Sequence, residues 1–171
     1  MKTQKRRVNF GKYSGILILI VMIVVCSLIE ESFLTAGNFI NILRQISVVT
    51  IMAFGETILI IGGQLDLSVG CSGAMAGTFA CIVYVATGSL ALALLVGIGL
   101  GAIVGTVNGL VVTKFDAPPF IVTLAMQSVT LGTIFLYTKG NNVYKIGDFR
   151  MIGQGSLGVI PIPIIIMLVI G

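Results

Sequence analysis

One short segment carries most of the polar chemistry of this chain. It is Gly62-Gly63-Gln64-Leu65-Asp66-Leu67-Ser68-Val69-Gly70, set between two apolar runs of membrane length. Crossing a bilayer takes about 20 mostly apolar residues. A glycine pair, an amide and a carboxylate between two such runs mark a sharp polar break. Polar backbone and ionisable groups at membrane depth line pathways or binding sites, so the chemistry indicated is the passage of a polar solute rather than bond-making. Asp66 suits two jobs. Asp-x-Ser ahead of an apolar run has the pattern of a helix cap, a contribution of about 1 kcal/mol, and the same carboxylate can accept hydrogen bonds from a solute or a gating partner. Glu56 lies near the middle of the preceding run, where an ionised carboxylate costs about 2.5–3.5 kcal/mol on insertion scales. Protonation, a hydroxyl on a facing helix or a polar cavity would each relieve that cost. With Gln64, Asn108 and Gln127, these two acids form the candidate substrate-pathway set.

Other chemistries lack their residues. The chain has no histidine, and Cys26, Cys71 and Cys81 all sit inside apolar runs, so neither a metal site nor a disulfide framework is expected. Gly153-Gln154-Gly155-Ser156-Leu157-Gly158 has GxGxxG spacing, but it lacks the strand before and the helix after that a dinucleotide fold requires. There is no GxxxxGK[ST] phosphate loop, so this chain is not expected to hydrolyse ATP itself. No cofactor is expected, and no catalytic residue is assigned.

The elements that must hold the polar turn are membrane helices. Of the 171 residues, 57% are hydrophobic and only 9% charged, against roughly 45–50% apolar and about 25% charged in soluble domains. A soluble core of this length could not hide so much apolar surface. Lys2, Lys5, Arg6, Arg7 and Lys12 precede the first span with no acid among them. This places residues 1–13 in the cytoplasm by the positive-inside rule, rather than against nucleic acid. Spans are expected at about 14–29, 46–62, 67–86, 90–113 and 119–137. The first is an anchor rather than a cleaved signal, because it ends in Leu28-Ile29-Glu30-Glu31 without a small-x-small site. Residues 33–45 are too polar to span, and Phe39, Ile40, Leu43 and Ile46 follow helical spacing. They read as an interfacial amphipathic helix.

Gly62, Gly63, Pro118 and Pro119 mark structural turns, with proline acceptable in the first turn of a helix. The run from Ile160 is too short to span and reads as a truncated sixth helix. The fold class is therefore an all-α polytopic integral membrane protein, with a transmembrane domain over 14–171. Counting crossings puts Asp66 and Asp116 inside and loop 138–158 outside. That loop's Lys139, Lys145 and Arg150 against Asp148 mildly oppose the rule, unless 62–69 is a re-entrant break. Gly97, Gly101, Gly105 and Gly109 recur at every fourth position, and Gly70, Gly73 and Gly77 repeat the idea more loosely. Both sets suit close helix packing.

Four segments then stand out together: Leu43-Arg44-Gln45; Gly63-Gln64-Leu65-Asp66-Leu67-Ser68-Val69-Gly70; Asn108-Gly109; and Ala117-Pro118-Pro119-Phe120-Ile121-Val122-Thr123-Leu124. In this order and spacing they closely resemble the membrane permease of ribose-type, ATP-binding-cassette sugar importers, from about Phe33 to Tyr137. The resemblance implies an inner-membrane (plasma-membrane) subunit working as a homodimer or pseudo-dimer. It would receive a monosaccharide from an extracytoplasmic sugar-binding protein, driven by cytoplasmic ATP-binding subunits. Gln64-Leu65 stands where the family commonly has Gly-Ile, and Glu56 where an apolar residue is usual. Members are about twice this length, with the ATPase-coupling loop expected beyond Gly171, so the chain reads as an N-terminal half. The competing reading is a non-transporting membrane scaffold or assembly subunit, which uptake surviving Asp66→Asn with Glu56→Leu would favour.

Overall fold

Each apolar run becomes a helix that stops at an identifiable signal. The computed structural model describes residues 10–144, 146–158 and 160–171, with side chains from Tyr13 onward. Most of the basic segment 1–13, and Lys145, lie outside the described residues. The helices are α1 (Phe10–Ile29), α2 (Ala36–Ile61), α3 (Val69–Thr87), α4 (Leu90–Lys114), α5 (Pro119–Thr138), α6 (Arg150–Gln154) and α7 (Ile162–Ile170). A two-residue antiparallel pair, β1 (Ser156–Leu157) with β2 (Ile160–Pro161), precedes α7. Residues 1–42 and 43–171 form two compact units.

In the first unit, α1 exposes Ile16 to Val25 on every side, as suits a helix surrounded by lipid. The turn after it is held by side chains. The Glu30 carboxylate accepts from the Ser32 hydroxyl at 2.7 Å, and these hydrogen bonds hold its carboxyl below the usual range. Thr35 Oγ1 accepts from the Asn38 N–H at 3.3 Å, starting α2 at Ala36.

The start of α2 corrects one expectation. Residues 33–45 do not form a separate interfacial helix, because α2 is continuous over 26 residues. Nothing in that stretch breaks a helix. It holds no proline, and the Ser47 hydroxyl folds back onto the Leu43 carbonyl at 2.7 Å. The polar residues occupy its opening turns, and α2 is the least apolar of the four helices long and apolar enough to cross a membrane, α2 to α5. Glu56 sits five residues before the helix end. The apolar stretch of α1, Tyr13–Ile29, is shorter, and α7 has nine residues.

In the second unit α3 packs most extensively on α4 and next on α5. The buried line on α4 is Ala93, Val104 and Asn108, with Gly97 on the same side. A Cβ on Gly97 would touch the Ala80 Cβ at 3.4 Å and the Ala76 carbonyl at 3.6 Å, so here the backbones do approach closely. The other stripe glycines, Gly101, Gly105 and Gly109, have nothing within 4 Å of such a Cβ. The reason is geometric. At 3.6 residues per turn, a step of four overshoots by about 40°, so the stripe rotates by about 120° from Gly97 to Gly109. On α3, a Cβ on Gly73 would lie 3.8 Å from the Met52 sulfur, while one on Gly70 or Gly77 would meet nothing within 4 Å. Buried Thr123 and Thr130 satisfy their hydroxyls on carbonyls of their own helix, and Phe79 meets Tyr137 edge-on at 4.9 Å.

The two positions on α4 should respond differently. Gly97→Leu is expected to lower stability by about 1–3 kcal/mol through overpacking. Gly101→Ala should stay within about 0.5 kcal/mol. Thermal unfolding of the detergent-solubilised protein checks both.

Candidate functional site

The site is built on the stop of α2. Gly63, at φ +74, donates its N–H to the Ile60 carbonyl, and Gln64 donates to the Leu59 carbonyl, both at 2.9 Å. This is the paired closure of a helix by a left-handed glycine, and it throws Gln64, Leu65 and Asp66 across the end of the helix. Glu56 then reaches forward from the preceding turn, its Oε1 accepting the Asp66 N–H at 3.0 Å.

Asp66 ties this turn to two further helices. Its Oδ1 accepts from the Ser68 N–H at 2.7 Å and from the Ser68 hydroxyl at 2.6 Å. The cap expected from Asp-x-Ser is therefore a turn in which Asp66 holds Ser68. Ser68 itself occupies the N-cap position of α3 without a side-chain cap bond. From α4, Asn108 Nδ2 donates to Ser68 Oγ at 3.0 Å and to Asp66 Oδ2 at 3.3 Å. Ser68 is 0% exposed and Asn108 5%, so these bonds are shielded from competing solvent. The Glu56 Oε2 and Asn108 Oδ1 atoms are buried acceptors with no hydrogen-bond partner among the described residues.

Beside this cluster is a cavity of about 350 Å³, lined by Gln64, Asp66, Asn108, Gly105, Gly109 and Thr123, with apolar walls from Leu59, Leu65 and Val112. A second cavity of about 250 Å³ shares Asp66 and Gly105 and adds Gly73 and Gly101. Three of the α4 stripe glycines, Gly101, Gly105 and Gly109, thus line space rather than contacts. Pro119, at the first turn of α5 behind Pro118, also borders the larger of these two cavities. A recess of about 510 Å³ between α3 and the end of α5 includes Gly77 but no charged side chain. The polar chemistry concentrates at Asp66.

Of the candidate pathway residues, the structure brings Gln64, Asp66 and Asn108 together on one cavity. It sets Glu56 behind them as a support for the turn. Gln127, half-buried on α5, lines none of these cavities. Sequence reasoning treated Ser68 as a cap alone and missed its bond to Asn108, which joins positions 40 residues apart. It also missed Thr123, whose signal lay in the Pro-Pro-Phe-Ile-Val-Thr run.

Truncating Asn108 to Ala should leave Asp66 Oδ2 and Ser68 Oγ short of a donor and cost about 1–3 kcal/mol. Asn108→Asp should cost more, since it sets one carboxylate against another. Unfolding temperatures of both variants against the parent chain test this order.

Residues 38–167 match the family described as branched-chain amino acid transport system / permease component. The chain is 35% identical over 174 residues to the ribose import permease protein of Bacillus subtilis strain 168, covering 98% of this chain and 54% of that one. It is 31% identical over 175 residues to the D-allose transport system permease protein of Escherichia coli K12, with coverage of 98% and 54%. With the xylose transport system permease protein of Haemophilus influenzae it shares 36% over 155 residues, covering 89% and 41%. The chain spans about half the length of the curated relatives it matches. No solved structure matches it significantly. With most of its length matched, and with helices suited to several crossings, this all-α membrane protein belongs to the branched-chain amino acid transport system / permease component family.

Proposed function

We propose that the chain supplies part of the translocation pathway of an ATP-driven importer for a monosaccharide. It would act as a permease subunit rather than an enzyme. The observation that carries this reading is the acceptor-rich cluster of Asp66, Asn108 and Gln64 on a cavity that no cation lines among the described residues. A sugar offers many hydroxyl donors, which suit a carboxylate and amide carbonyls. A branched-chain amino acid could place its ammonium on Asp66, but its carboxylate would find no Lys or Arg among the described lining residues to balance it. The names of the relatives, for ribose, D-allose and xylose, support the same substrate class.

In this reading the protein lies in the inner (plasma) membrane with its N-terminus in the cytoplasm. The α2–α3 turn then sits at the cytoplasmic end of the pathway. A second permease subunit, most simply a copy of this one, completes the pathway. An extracytoplasmic binding protein delivers the sugar, and cytoplasmic ATP-binding subunits drive the cycle. Docking and ATP favour different states, so transport is a shift in their populations. The Asp66–Ser68–Asn108 tie is the element such a shift would make and break. Gly70, Gly73 and Gly77 on α3 and the α4 stripe leave room for the helices to move past one another.

The test is uptake of radiolabelled ribose, xylose, allose and leucine into cells whose sole permease of this family is this one, with its binding protein and ATPase present. One of the sugars should accumulate, excess leucine should not compete, and Asp66→Asn should cut uptake about tenfold at unchanged membrane level, the loss of one charge-assisted hydrogen bond. Accumulation of leucine alone would overturn the substrate class. Uptake that survives Asp66→Asn with Glu56→Leu would overturn the pathway role.

A further inference from the structure

A second polar locus lies away from the Asp66 cluster. Arg44, from the early turns of α2, and Arg150, the first residue of α6, line one recess of about 380 Å³ with Gly147, Met151, Gln154 and Gly155. The four helices α2 to α5 intervene in the chain, and an even number of crossings returns the loop after α5 to the side where α2 begins. Guanidinium groups stay charged at any physiological pH. No carboxylate is among the lining residues, and Asp148 sits exposed in the 3₁₀ turn nearby. Two positive charges in one recess favour an anion between them.

The recess is also kept open by backbone. A Cβ on Gly155 would overlap the Met151 carbonyl oxygen and come within 2.8 Å of Ile162 Cδ1. Gly147 has φ +46, and a Cβ there would press on the Tyr84 ring at 3.4 Å. Neither position accepts a side chain that could fill the space. Arg150 donates Nε–H to Gln154 Oε1 at 2.5 Å, which steadies the head group and keeps its terminal amino nitrogens out of that bond.

What surrounds the recess indicates the source of the anion. Leu43, Ile46, Met151 and Leu157 are exposed by 46%, 51%, 58% and 68%. Met151 lines the recess, and Leu43, Ile46 and Leu157 lie one or two residues along the chain from Arg44 and Gly155, so exposed apolar side chains accompany the two arginines, as at the edge of the hydrocarbon layer where lipid phosphates lie. An acidic soluble partner would instead meet a polar surface. We propose that this recess binds the phosphate headgroup of an anionic phospholipid, gripped by Arg44 and Arg150, with the acyl chains covering the apolar rim. Arg150, whose terminal amino nitrogens stay out of the Gln154 bond, can offer a fork of two N–H donors to phosphate oxygens, which a lysine cannot, and Arg44 adds its positive charge.

The experiment is native mass spectrometry of the full chain released from bilayers of phosphatidylethanolamine and phosphatidylglycerol. The parent chain should retain phosphatidylglycerol in preference to phosphatidylethanolamine. Arg150→Gln, an exposed position that leaves helix content by circular dichroism unchanged, should reduce that retention about tenfold. Arg44→Gln with Arg150→Gln should abolish it, and Arg150→Lys should fall between. Equal retention of both lipids, or retention unchanged in the double variant, overturns the proposal. So does inorganic phosphate binding with the same arginine dependence while phosphatidylglycerol does not bind. Arginine dependence of an acidic protein's binding, with lipid retention untouched, would likewise overturn it and assign the recess to a protein contact.

Discussion

The Asp66 carboxylate is where three helices meet. Its two oxygens hold the N–H and hydroxyl of Ser68 at the start of α3 and the amide of Asn108 on α4, while its own N–H is held by Glu56 at the end of α2. Within a bilayer the backbone of a helix end has little water to turn to, so a break between spans must satisfy itself. The left-handed Gly63 closes the carbonyls of α2, and Asp66 closes the other side of the gap. Substituting one member would leave its neighbours short of a partner, so the cluster behaves as a unit.

The helix that carries Asn108 also sets where space is left. Asn108 lies on the buried line of α4 with Ala93 and Val104, and the glycines at four-residue spacing rotate off that line. They begin at a tight contact at Gly97 and end on a cavity wall at Gly105 and Gly109. One repeat therefore serves packing at one end of the helix and openness at the other. The recess between Arg44 and Arg150 is made differently, by glycines that leave no room for a Cβ, yet the result is again a polar site opened by missing side chains.

The helical, membrane-embedded class, the turns at Gly62-Gly63 and Pro118-Pro119, and the polar positions Asp66 and Asn108 were legible from residue order. These depend on local chemistry: apolar run length, glycine where φ is positive, proline in a first turn. The beginning of α2 was not legible, because Asn38, Asn41, Arg44 and Gln45 looked too polar to share a helix with the apolar run beyond. Polarity argues about membrane depth, whereas helix continuity depends only on the absence of a breaker. Gln127 was chosen for its polarity within an apolar helix, which carries no information about the face it occupies.

Taken alone, the order of residues determined that the chain is helical, that it is built for lipid, and where its polar break falls. Each of these follows from properties that act over a few residues. Only the tertiary structure decided that Asn108 meets Ser68 and Asp66, that the glycine stripe turns from contact to cavity, and that Arg44 shares a recess with Arg150. Those outcomes depend on how helices rotate and approach one another. That is settled by the summed packing of many side chains and by buried hydrogen bonds between residues far apart in the chain.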